Sequence, residues 1–234
     1  MIDEILDYLT FLFPEAVCEL NYTRDYELLI SIMLSAQTTD KRVNMVTKEL
    51  FSKYDSIEKL KDADVLSIIS IVRSLGNYTK KGEAVVLIAK KIYEWGCVPK
   101  SRVLLESLPM VGRKTVNVFL SEFYHIPNIA VDTHVERVSK RLGLARESSN
   151  VVQVENALKR KIPRNLWCDT HLRMVHFGRY YCTAKNPKCS SCKIKHLCKY
   201  NKKMNSWWIH FLLFLFIART IVDIPNIKVV PDRI

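Results

Sequence analysis

The chain has 234 residues, of which 48% are hydrophobic and only six are glycine, a balance that supports one large or two small folded domains and excludes a disordered protein. Its net charge of +12 is uneven: residues 159–203 hold thirteen Lys or Arg against one acid, Asp169, while the remainder balances at 23 basic and 23 acidic residues. A cationic end on an otherwise neutral chain fits a polyanionic partner, with a merely soluble basic face as the plainer alternative.

Helical periodicity runs nearly throughout, and no stretch alternates convincingly in the manner of a strand. In chain order, the pattern predicts an amphipathic helix over 2–12, an apolar buried helix over 26–36, and helices over 40–52 and 58–72. A long helix over 79–95 has apolar residues at 85, 88, 89, 92 and 95, and Gly96 stops it. Short helices at 101–107 and 113–124 flank a turn, and helices at 132–142, 151–161 and 165–178 complete an all-α fold. Residues 1–23 contain no Lys or Arg, so the start of the chain does not read as a signal peptide. Residues 206–218, SWWIHFLLFLFIA, form an apolar run shorter than the roughly twenty residues of a membrane span. A packed helix or a C-terminal extension over 205–234 is expected there, with no membrane partner.

Of seven cysteines, Cys18, Cys97 and Cys168 are scattered, and Cys182, Cys189, Cys192 and Cys198 crowd into seventeen residues. That is not the dispersed, even set of a secreted disulfide framework, so a reducing cytoplasm is expected. The spacing Cys-x6-Cys-x2-Cys-x5-Cys lets four thiolates converge on one metal centre. Structural zinc usually uses two close pairs and only one is present, whereas an iron–sulfur cubane tolerates uneven arms. On spacing alone the cluster is favoured and zinc stays open.

The densest chemistry lies between Leu108 and His134. In LPMVGRKTVNVFL, Pro109 and Gly112 mark a tight turn between two helices, and Lys114 follows where free backbone N–H groups suit phosphate. In IAVDTH, Asp132 precedes a new helical pattern and reads as an N-cap. A lysine and a carboxylate eighteen residues apart, each at a helix mouth, could face one another across a cleft. Taken singly, a solvated lysine and a simple cap are the commoner explanations.

LPMVGRK, AVDTH and the four-cysteine spacing together resemble the endonuclease III family of helix-hairpin-helix DNA glycosylases, over about residues 1–204. The resemblance implies two helical domains flanking a DNA-binding cleft: a helical barrel over 19–127 with the hairpin, and an iron–sulfur domain built from 1–18 and 128–204. It implies a 4Fe–4S cluster on Cys182, Cys189, Cys192 and Cys198 with a structural and DNA-docking role, its loop presenting Lys185 and Lys188 to phosphates. The hairpin amides at Val111, Gly112 and Arg113 would grip phosphate without reading sequence. Lys114 would be the nucleophile of a Schiff base, its proton shed more readily at a helix N-terminus in a cationic groove. Asp132 would stabilise the charge developing on the sugar. Once a damaged base leaves the stack, Gln37 of LSAQTTD would fill the gap and Asn77 would stand where the family usually has an apolar wedge, with His134 and Tyr78 as further groove residues. Two departures stand out: Asn77, and Met110 where the family usually has glycine.

The function implied is removal of oxidised pyrimidines from double-stranded DNA followed by cleavage 3′ to the abasic site through β-elimination, by a monomer associated with the nucleoid. A mismatch-specific adenine or thymine glycosylase is the nearer alternative, and a non-enzymatic iron–sulfur DNA-binding scaffold the more distant one.

Overall fold

A computed structural model describes residues 1–203; the apolar run at 206–218 lies outside the described residues. Those residues form helices and no strand, so the fold is all-α. The helices are α1 (Ile2–Leu12), α2 (Asp25–Leu34), α3 (Asp40–Lys53), α4 (Ile57–Lys61), α5 (Val65–Val72), α6 (Tyr78–Trp95), α7 (Arg102–Glu106), α8 (Arg113–Glu122), α9 (Thr133–Arg141), α10 (Val151–Lys161) and α11 (Trp167–His176). No helix among the described residues is long and apolar enough to cross a membrane.

Caps explain most boundaries. The side-chain oxygens of Ser56, Asp64, Ser101, Asp132 and Asn150 each accept a backbone N–H of the first turn, satisfying donors that a helix start leaves free. The single helix expected over 58–72 is two, because Asp64 caps a fresh helix through Ser67 N–H at 2.9 Å and Ser67 Oγ at 3.1 Å. The last predicted helix also ends differently. After α11 the chain widens into a π-helical turn, Phe177–Tyr181, where Cys182 N–H reaches back five residues to the Phe177 carbonyl. Such a turn rotates its side chains out of α-register.

Two apolar cores form. One is built by α2 to α8, from Leu20 to Leu120; α2, at its heart, is buried on every face. The other joins Ile5, Tyr8 and Leu9 of α1 to residues between Ile129 and Cys198. The chain crosses from the first core to the second through residues 124–131, and the crossing is firmly held. Ile126 N–H donates to Leu120 O at 3.0 Å, and Asn117 Nδ2, buried on α8, donates to Ile129 O at 3.3 Å. Asn117 Oδ1 in turn accepts Arg102 Nη2 at 2.6 Å, so both ends of that amide are satisfied.

α5 and α6 approach closely because residue 82 is glycine. A Cβ built there would stand 2.5 Å from Ile69 Cγ1 and 3.1 Å from its backbone. Gly82→Ala is expected to lose about 1–3 kcal/mol in urea unfolding through overpacking. Gly76→Ala, whose Cβ would meet nothing within 4 Å, should stay within about 0.5 kcal/mol of wild type.

Candidate active site

Two helix starts open into one cleft where the cores meet. α8 begins after Gly112 with no side-chain cap, leaving the N–H groups of its first turn free to face an anion. Lys114 is exposed in that turn. Asp132 opens α9, its Oδ1 accepting Val135 N–H at 2.7 Å. Lys114 and Asp132 both line a cleft of about 130 Å³, together with Asp40, His171, His176 and Arg179. The lysine comes from the hairpin and the carboxylate from the far side of the crossing. A wider groove of about 560 Å³, lined by residues such as Tyr22, Arg24 and Phe51, belongs to the first core alone, so size does not mark the site.

Several residues of the cleft escaped sequence reasoning. Arg179, on the π-helical turn, spans the gap and pairs with Glu19 at 2.6 Å and Asp40 at 2.7 Å. Tyr180 Oη donates to the same Glu19. Cys18 also lines the cleft, but burial pushes its thiol up to about 12, so it stays protonated near neutrality. His171 is buried, and its Nδ1 has no hydrogen-bond partner. Burial pushes its imidazole down to about 4; Asp132 opposes the shift and Lys114 adds to it. The ring is therefore neutral at physiological pH. A charge-rich segment just before the first cluster cysteine was the only available signal for Arg179.

Five exposed non-glycine residues lie in the left-handed region: Gln37 (φ 58°), Asn77 (φ 60°), Met110 (φ 61°), His125 (φ 50°) and Asn186 (φ 53°). All but His125, which lies after α8 in the crossing between the cores, fall on segments expected to meet DNA, where strain is retained at working sites. The hairpin corrects one expectation. Val111, expected to offer its amide to phosphate, donates it to Leu108 O at 3.2 Å and buries its side chain; the free amides begin one residue later. Arg113 also has an internal partner. Its guanidinium makes a two-pronged contact with Glu155 of α10, Nε and Nη2 each at 2.9 Å. Burial alone would raise the Glu155 carboxyl, and Arg113 with Lys159 more than reverses it, leaving it below the usual range. Because Glu155 is almost wholly buried, this pair latches the hairpin to the second core. His134 sits on the first turn of α9, its Nδ1 3.3 Å from Arg137 Nη2, and packs against Gly178, where a Cβ would come within 2.8 Å of its own.

The cysteine loop closes the far end. Cys182, Cys189, Cys192 and Cys198 line one cavity with Leu142, Phe177 and Tyr200, and none is in a disulfide. Four thiols from one short segment on a shared cavity are the donor set that an iron–sulfur cubane takes, and its size tolerates their uneven spacing. Burial pushes the Cys189 and Cys192 thiols up, and the facing cysteines push them further; a cationic cluster removes that penalty. Arg141 Nη1 lies 3.4 Å from Cys182 Sγ and donates to Thr183 O at 2.7 Å, and Arg137 Nη2 donates to Gly178 O at 2.7 Å. α9 thus carries Asp132 at one end and steadies the cysteine loop at the other. Lys185 and Lys188 are exposed on that loop, with Lys188 Nζ 5.7 Å from the centre of the Tyr181 ring.

Residues 30–164 match the model of the HhH-GPD superfamily base excision DNA repair protein, and residues 182–198 match the iron–sulfur binding domain of endonuclease III. Endonuclease III of Bacillus subtilis is 44% identical over 204 residues, covering 86% of this chain and 93% of that protein. Endonuclease III of Escherichia coli K12 is 38% identical over 204 residues, covering 86% and 96%. A solved structure of a trapped endonuclease III–DNA covalent intermediate superposes with a TM-score of 0.83 at 44% identity, over 87% of this chain and 96% of that one.

Two measurements test the site's physical state. A His171 whose folded value lies near 4, below its unfolded value of 6.5, contributes stability above pH 6.5 that is lost as pH falls towards 4. The melting temperature should therefore drop more steeply between pH 6.5 and 4 for wild type than for His171→Gln, and parallel curves would remove the buried neutral imidazole. Met110→Gly, which relieves the left-handed backbone, should raise stability by about 1 kcal/mol, read as a higher urea midpoint at unchanged slope.

Proposed function

The chain belongs to the endonuclease III family of base excision DNA repair proteins, and we propose that Lys114 and Asp132 are the groups with which it acts. It is a bifunctional DNA glycosylase and AP lyase, DNA is its partner, and it carries a 4Fe–4S cluster. What supports the assignment is the meeting of a lysine and a carboxylate, drawn from two helix starts, in one cleft. A relative of the same fold was captured covalently joined to DNA, which a nucleophilic amine explains.

The reaction then runs as follows. The Lys114 nitrogen, as free amine, bonds to C1′ of an extrahelical deoxyribose while the C1′–base bond breaks and the base leaves with its electron pair. The Asp132 carboxylate faces the positive charge that develops on the sugar, its Oδ1 steadied by Val135 N–H. The amine then gives up a proton as the C1′–O4′ bond breaks and O4′ is protonated, leaving a ring-opened imine. That imine acidifies the C2′ proton, whose loss to a base breaks the C3′–O bond and expels the 3′ phosphate. Gln37 and Asn77 fill the space the nucleotide vacates, and the free amides of Gly112 and Arg113 hold phosphate beside it. Oxidised pyrimidines in duplex DNA are the substrate class, and a nucleoid-bound monomer is the working form. Cys182, Cys189, Cys192 and Cys198 hold the cluster, which when bound supplies iron–thiolate bonds that close the loop. The chain's own part there is to present Lys185 and Lys188 to the backbone, an electrostatic contact that weakens as salt rises.

Borohydride reduction on abasic duplex tests the nucleophile. Wild type is expected to become covalently fixed to DNA and Lys114→Gln is not; equal trapping by both moves the nucleophile elsewhere. Asp132→Asn keeps an oxygen to cap α9 and so should keep its melting temperature, while base release falls by about 10²-fold or more in single-turnover assays.

A further inference from the structure

Lys81 is 1% exposed, and among the described residues no carboxylate offsets its burial. Burial pulls its ammonium below the usual lysine range, and in the absence of a carboxylate the compensation comes from two carbonyls. Lys81 Nζ donates to Leu34 O and to Ala36 O, both at 2.8 Å. Leu34 is the last residue of α2, where the carbonyl lacks an intrahelical donor and the helix dipole favours a cation. Ala36 O belongs to the peptide unit whose nitrogen is that of Gln37, so pinning this oxygen fixes the plane from which Gln37 departs at φ 58°. The main chain of Lys81 does the matching task on the other side: its N–H donates to Asn77 O at 3.1 Å, and Asn77 opens α6 at φ 60°. Each left-handed residue carries a strain of about 1–2 kcal/mol and persists only where its surroundings over-determine it.

We infer that Lys81 is a positioning residue that braces the two gap-filling turns against each other, setting the separation between Gln37 and Asn77 and hence the capacity to hold a nucleotide out of the stack. This rests on the reading of those two residues given above. Lys81 touches neither the sugar nor Lys114 in this scheme, so its loss affects extrusion and leaves the amine chemistry intact. A lysine that merely stabilised the fold would lower every activity together.

The experiment uses the full-length, cluster-loaded protein. Lys81→Met, of similar shape but without donors, is compared with wild type on three substrates: duplex with an oxidised pyrimidine, duplex with a preformed abasic site, and a single-stranded abasic oligonucleotide, which has no gap to fill. Base release from the damaged duplex should fall by about tenfold or more, since displacements of the order of 1 Å carry effects of that size, while borohydride trapping on the single strand stays within about twofold. With 2-aminopurine opposite the abasic site, bound Lys81→Met should alter the fluorescence of wild type in the same sense as Gln37→Ala. The double variant Gln37→Ala/Lys81→Met should be no slower on duplex than the slower single variant, because residues acting as one unit are not additive. Lys81→Gln, which keeps an amide donor, is measured in parallel, should fall between the two, and carries the comparison if the apolar variant does not accumulate folded. An equal drop on all three substrates, or full additivity with Gln37→Ala, overturns the brace. If wild type itself traps no abasic duplex, the assignment of Lys114 fails first, an outcome distinct from a wild type that traps and a Lys81→Met that matches it on damaged duplex, which overturns the brace alone.

Discussion

The arrangement depends on a short, buried crossing of the chain between two cores. Residues 124–131 leave α8 and return as the N-cap of α9, with Ile129, Ala130 and Val131 almost wholly buried and the Asn117 amide holding the Ile129 carbonyl. Because this stretch cannot slide without exposing apolar surface or stranding a buried amide, the start of α8 and the start of α9 are held in fixed relation. Lys114 and Asp132 inherit that relation. Their proximity is a property of the connection, and each needs only to sit in the first turn of its own helix.

Around that connection the protein adds ties that cross the same boundary. Arg113 joins the hairpin to Glu155, and Arg179 joins the π-helical turn to Glu19 and Asp40. Arg113 sets two nitrogens of its planar guanidinium on one carboxylate, whereas Arg179 reaches both of its acids through a single nitrogen, Nη1. Glu155, buried with two cations beside it, shows why such a tie persists: removing one partner leaves a buried charge unmatched. The exposed lysines of the cysteine loop and of α8 remain available to an external anion.

Much of this was legible in the sequence, and the limits follow physical lines. Asp132 as a cap, Gly96 as a stop and most helix spans were readable because they depend on neighbours within four residues. The cysteine spacing and the LPMVGRK and AVDTH motifs carried the family. The break at Asp64 was missed because an apolar period can run through a cap. The engagement of Arg113, 42 residues from Glu155, and the burial of Lys81, 47 residues from Leu34, were invisible because they are created by packing alone. The amide of Val111 was misassigned for a local reason: the turn closes one residue later than the glycine pattern suggested. Likewise, nothing in the residues around His171 announces that its ring is enclosed and neutral.

The latched cleft has a further consequence for which molecule does the bending. With arginine–carboxylate ties on two sides and a buried amide behind, closing the two halves around a guest would separate buried partners, a cost that bending the duplex avoids. Stretches rich in flexible pyrimidine–purine steps yield at lower elastic energy than stiff adenine tracts.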